Sequence, residues 1–274
     1  LGSAYQLWHI QAHPTDTDMI GMVYTLSSTK YLGVLTLSTG NVQHVASESN
    51  LFENVAWTRD GTKLITSSST GTSQKFCLYD VINNTPDCHV GLISSASDFT
   101  ATYDGNYIIV TSTSSNDLHK ITINGMTSEL LAGDPSGNSA YYTSATNFAE
   151  SMGIGTNAKF QWPRTVIATP NNDVIVGETG FLSRVNIATG EKTMLAGSCG
   201  CMNGSPSYCN GGISDGTGLN AYTGIKYDLS ISSDGSYAYF YELGWRDENC
   251  NTDGNRRTVR KVTLPGYIPS VVQV

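Results

Sequence analysis

Charge is scarce in this 274-residue chain, with Asp, Glu, Lys and Arg together making up 14% of it. Only 15 residues are Lys or Arg against 23 Asp or Glu, a formal net charge of −8. Binding to a phosphate backbone needs a concentrated basic surface that releases counterions, so nucleic acid is not an expected partner. No apolar run approaches the roughly 20 residues that span a bilayer, and membrane insertion is not expected either. The opening LGSAYQLWHIQAHP has neither the basic flank nor the apolar centre of a secretion signal. Its lack of an initiator Met points to a processed chain or a fragment. A G-x-S-x-G elbow and a phosphate-binding loop are also missing, because Gly153-Ile154-Gly155 lacks the strand-to-helix context that such a loop requires.

What the chain does have is turn and strand chemistry: 28 Gly against 8 Pro, abundant Ser, Thr and Asn, and six Cys. An even number of cysteines in a Lys-poor chain suits an oxidising compartment, and the expected location is extracellular or on the cell surface. The sequons at Asn83 and Asn203 agree with that, as candidate glycosylation sites.

A repeat organises the sequence. An apolar strand, a turn centred on Asp-Gly or its equivalent, and a second strand rich in Ile, Val and Tyr recur as NVAWTRDGTKLITSS, DFTATYDGNYIIVTS, TVIATPNNDVIVGE and DLSISSDGSYAYFYE. A weaker copy starts at His9. The turn acids Asp18, Asp60 and Asp104 are 42 and 44 residues apart, the length of one propeller blade. Asp173 and Asp234 take the same role in the later copies, after longer gaps. Each copy is followed by a second hairpin. Four strands per repeat predict an all-β chain, a β-propeller of about five four-stranded blades, because a single twisted sheet cannot cover both its faces and radial stacking can. The blades run over 7–48, 51–93, 96–133, 159–197 and 220–274 in one domain, with inserted loops at 134–158 and 198–219. A sixth blade would lie outside the chain if it is a fragment. Val55, Phe99, Val166 and Leu229 are expected at equivalent positions on the first, innermost strands.

Residues 156–197 resemble an NHL repeat, through Phe160 and Pro163 before the first strand, Glu178 at the end of the second, Arg184 in the third, and the closing Leu195-Ala196-Gly197. The loop containing SDGTGLNAYTGI is similar to the linker between NHL blades. This resemblance implies the propeller fold but no single function. Among the enzymes it brings to mind are amidating lyases, which hold a metal through channel histidines.

The residues give such chemistry little support. His9 and His13 are the only histidines expected on an inner strand; in an extended chain they share a face about 13 Å apart, too far for one ion. His44, His89 and His119 fall on third or fourth strands. The best ion-binding candidate is the alternation Asp247, Asn249, Asn251 and Asp253 before Gly254, which matches the first half of a Ca²⁺ loop. Arg260 stands where the closing Glu should be, so no cofactor is expected beyond this weak Ca²⁺ candidate. Cys77 and Cys88 flank the turn VINN and are expected to pair across it. Cys199, Cys201, Cys209 and Cys250 form a second set with three pairings open. The hydroxyl cluster Ser67, Ser68, Ser69 and Thr70, expected to be exposed at the end of a strand, is a further candidate for glycan.

Three functional readings follow. The leading one is a non-catalytic extracellular scaffold or interaction propeller, a glycosylated subunit of a surface coat or fibre, with protein partners that include further copies of itself. The alternatives are a propeller that binds a peptide or glycan, and a metal-dependent lyase or hydrolase.

Overall fold

The computed structural model describes residues 5–48, 52–69, 73–134, 136, 151–197, 215–221, 223–246 and 252–264. The chain is all-β, a β-propeller of five blades. The first sheet holds β1 (Tyr5–Ala12), β2 (Met19–Leu26), β3 (Thr29–Thr36) and β4 (Asn41–Glu48). The second holds β5 (Phe52–Trp57), β6 (Lys63–Ser69), β7 (Gln74–Asp80) and β8 (Pro86–Val90). The third holds β9 (Asp98–Ala101), β10 (Tyr107–Ser112), β11 (Asp117–Thr122) and β12 (Thr127–Gly133). In the fourth, β14 (Thr165–Ala168), β15 (Asp173–Glu178), β16 (Phe181–Asn186) and β17 (Glu191–Gly197) are joined by a fifth strand, β13 (Gly153–Ile154). The fifth shows β18 (Ile225–Ile231), β19 (Tyr237–Arg246) and β20 (Thr252–Thr263) among the described residues. Two compact units are present, residues 1–108 with 121–128, and residues 109–120 with 129–274.

The sheets are up-and-down meanders whose first strand lies at one edge. Val55, Phe99, Val166 and Leu229 all sit buried on such first strands. The second strands carry the core: β15 is buried at all six positions and β6 at five of seven. Runs such as VIV and LIT are therefore continuous rather than alternating, as sheets covered on both faces require.

Three features differ from the sequence expectations. Residues 134–158 are not loop throughout, because β13 pairs antiparallel with β17, Gly153 opposite Lys192 and Ile154 opposite Glu191. A 3₁₀ turn follows at Gly155–Asn157, and the same device recurs at Gly218–Asn220, in the second insert and at the start of the fifth blade's range. The repeated sequence G-x-G-x-N-A explains the likeness: the second Gly adopts φ near +57°, and the following Ala158 and Ala221 are buried. Ser67 and Ser68 are not exposed; they are 2% and 4% accessible because β6 is covered on both sides. Ser69 is half-buried, and Thr70 lies outside the described residues.

Cys77 and Cys88 are bonded to each other, at directly opposed positions of β7 and β8. Asn83 is exposed in the turn between them, where the Asp80 carboxylate accepts its backbone N–H at 2.8 Å. Asn203, Cys199, Cys201, Cys209, Cys250, Asp247, Asn249 and Asn251 lie outside the described residues. Asp253 falls within β20, where a loop was expected.

Candidate functional site

The histidines are spent separately. His9 Nδ1 accepts the Val55 N–H at 3.3 Å. β1 ends before His13, whose Nδ1 accepts two backbone N–H groups, from Thr15 at 3.2 Å and Asp16 at 2.9 Å. The proton must then sit on Nε2, which donates to the Gly61 carbonyl at 3.1 Å while the ring edge meets Trp57. His13 thus ties one turn to another. His44 contacts the Tyr24 hydroxyl at 2.5 Å, and His89 and His119 lie beside Asp87 and Asp117. Among the described residues no three metal-ligating side chains cluster.

The repeated turn has its own chemistry. In three blades a hydroxyl just after the first strand donates to the turn acid: Thr58 to Asp60 at 2.6 Å, Thr102 to Asp104 at 2.5 Å, and Ser232 to Asp234 at 2.6 Å. The same oxygen accepts the N–H five residues on, closing the turn around a Gly in the left-handed region. The Ser232 and Ser236 hydrogen bonds hold the Asp234 carboxyl down at about 2. Blade four departs from this. Thr169 N–H bonds to the Asp173 carbonyl only four residues on, Asn171 replaces the acid, and Asn172 takes the left-handed position at φ +62°. Asp173 is accordingly not a turn acid; it opens β15, is buried, and holds Arg184 and Asn186.

Blades four and five bury charge. Glu178, at the end of β15, accepts the Gln161 N–H at 2.9 Å and the Ser183 hydroxyl at 2.6 Å, and pairs with Lys192 at 2.8 Å. Lys192 also donates to the Lys159 carbonyl and lies over the Phe160 ring. Glu242 repeats the role on β19, accepting the Gly224 N–H at 2.8 Å and pairing with Arg260 at 2.9 Å. Each glutamate therefore ties the segment entering a blade to that blade's second strand. Lys226 is wholly buried between Thr223 Oγ1, at 2.6 Å, and the Gly224 carbonyl, at 2.9 Å. Burial pushes its amine down to about 7, against the opposing pull of Glu242 and Glu178. Burial likewise lowers Lys192, opposed by Glu178. Sequence reasoning found Glu178 only through the family resemblance and missed Lys192, Lys226 and Glu242. The shared terminal Glu of VIVGE and AYFYE was the available signal.

Two exposed aromatics occupy bulges. In the first unit, β1 slips register between Leu7 and His9, which leaves Trp8 half exposed under the Lys30 ammonium, 4.2 Å from its ring centre. In the second unit, β18 slips between Lys226 and Asp228, which leaves Tyr227 47% exposed under the Arg164 guanidinium. Extra residues at bulges re-aim side chains in this way. Trp162, in the loop before β14, holds a left-handed φ of +48° that a bulky residue rarely adopts, and its N–H bonds to Asn116 Oδ1 at 3.0 Å.

No family model and no curated protein matches the sequence. Solved structures do match. The chain is similar to TolB from Acinetobacter baumannii at 14% identity and a TM-score of 0.60, over 96% of this chain and 53% of that one. It therefore spans about half the length of that protein. It is similar to a chain of a nidogen/laminin complex at 10% identity, 94% and 86% coverage and a TM-score of 0.57. The Cps50 β-propeller domain of Myceliophteria thermophila matches at 12% identity, over 100% of this chain and 69% of that one, with a TM-score of 0.60. At such identities the likeness is one of fold. Sites must be argued from this chain's own residues.

Proposed function

We propose that this chain is a non-catalytic interaction propeller whose partners are proteins, further copies of itself among them. The observation that carries this reading is the division of labour among its polar and aromatic groups. Buried charges are used up in tying loops to strands, whereas Trp8 and Tyr227 are turned outward by bulges and sit under cations. Amphipathic aromatics paired with a cation are the anchors that protein interfaces favour. The disulfide and the exposed sequon at Asn83 support an extracellular setting with glycan at that turn. The NHL-like stretch around Phe160, Glu178 and Arg184 suits such a role, and a surface coat or fibre is the assembly it would build. A nidogen/laminin complex among the similar structures supports a protein partner.

Sedimentation velocity over a range of concentrations tests the reading. The wild-type chain should associate, and Trp8→Ser with Tyr227→Ser should reduce that association while the fold persists. A chain that stays monomeric at every concentration and turns over a substrate would contradict it.

A further inference from the structure

We infer that a cleft in the second unit is a binding site for a small carboxylate with an apolar body. The cleft is shallow and half open to solvent, with a cavity volume of about 20 Å³, and is lined by Thr169, Asn171, Asp173, Arg184 and, from blade five, Gly235 and Leu264. Ile175 and Leu195 complete an apolar wall with Leu264, continuous with the core between these two blades.

Two observations point to a ligand. The first is Thr169. Its counterparts Thr58, Thr102 and Ser232 each give their hydroxyl to a turn acid two residues on. The shortened turn of blade four has Asn171 at that place, and the Thr169 hydroxyl is buried without a hydrogen-bond partner, in a residue only 5% accessible. An unsatisfied buried hydroxyl costs free energy, and three sister turns show how this fold otherwise satisfies it. The second is Arg184. Buried Asp173 engages its Nε at 2.6 Å and also its Nη2, which fixes the guanidinium plane. Its side chain is nevertheless 37% exposed, and Nη1 has no partner among the described residues.

Thr169, whose hydroxyl is closed off from solvent, and Arg184, whose side chain is part exposed, thus line one cleft with an apolar wall. Asp173 has its charge matched by Arg184, and its second oxygen accepts from Asn186 Nδ2 at 3.1 Å. A carboxylate meets both donors through charge-assisted hydrogen bonds, and a short alkyl chain fits Ile175, Leu195 and Leu264. The site uses none of the bulged aromatics, so it stands or falls apart from the interaction surfaces proposed above.

Butyrate is the probe. Titrated into the ¹⁵N-labelled chain, it should bind with a dissociation constant on the order of 1 mM, within reach of six non-hydrogen atoms. Shifts should centre on the amides of Thr169, Asn171 and Gly235. Thr169→Val removes a hydroxyl that has no partner, so the fold should persist while butyrate affinity drops about tenfold. Thr169→Ser should keep affinity within about twofold, and butyramide should bind about tenfold more weakly than butyrate. Affinity unchanged in Thr169→Val, equal binding of butyramide, shifts centred elsewhere, or no binding at tens of millimolar would each overturn the assignment.

Discussion

The two units bury different kinds of polar group. In the first, every buried polar side chain among the described residues is uncharged, Thr58, Thr66, Ser67, Ser68, Gln74, Thr100 and Thr102. In the second, Asp117, Asp173, Glu178, Lys192, Lys226 and Glu242 are all buried. The hairpin scaffold is the same, so the fold does not demand ions. In blades four and five the segment entering the blade is tied to the second strand by carboxylates that accept a backbone N–H. A hydroxyl loses little when its partner is removed, whereas a buried ion left alone loses much, so the second unit should be the more brittle.

That contrast can be broken most sharply at Lys192. Lys192→Met leaves Glu178 buried without its cation and should cost about 3–5 kcal/mol in denaturant unfolding. Adding Glu178→Leu should recover much of the loss, since apolar replacement of a whole buried pair is often near neutral. Ser68→Ala in the first unit should cost about 1 kcal/mol or less.

Lys226 makes the contrast pH-dependent. Its amine titrates near 7 in the fold and near 10.5 in the unfolded chain. Below pH 7 both states hold the proton, so the cost of burying the charge is fully present. Between 7 and 10.5 the unfolded chain keeps a proton that the fold has released, and stability rises with pH. From pH 7 to 9.5 the gain should be about 3 kcal/mol, measured as urea unfolding against Lys226→Met, which should lack it. Loss of the Cys77–Cys88 bond, by Cys88→Ser with Cys77→Ala, should cost about 2–3 kcal/mol for a link spanning 11 residues. Comparably small, Asp60→Ala and Asp234→Ala should each cost about 1 kcal/mol by opening one turn.

The blades were legible because Asp-Gly turns and apolar second strands are local signals, and the Cys77–Cys88 pair because its register follows from one short turn. The burial of Ser67 and Ser68 was not, since a polar strand end reads as exposed until a neighbouring sheet covers it. Asp173 was misread for a related reason: turn acid and strand-opening acid differ by a one-residue deletion that the repeat pattern absorbs. Lys192 and Lys226 on strands look like solvent-facing positions, and their burial depends on Glu178 and Glu242, supplied by other strands. The Thr169 cleft was invisible because an orphaned hydroxyl shows only when its three counterparts are seen to be satisfied.

The central claim is that the buried ions are struts and that the chain works through its surface. The most direct measurement is sedimentation velocity of the charge-free double variant Glu178→Leu with Lys192→Met, alongside circular dichroism. The account predicts a folded chain whose self-association matches wild type, in contrast to Trp8→Ser with Tyr227→Ser. A double variant that folds normally but loses association, or that loses a turnover present in wild type, would contradict it.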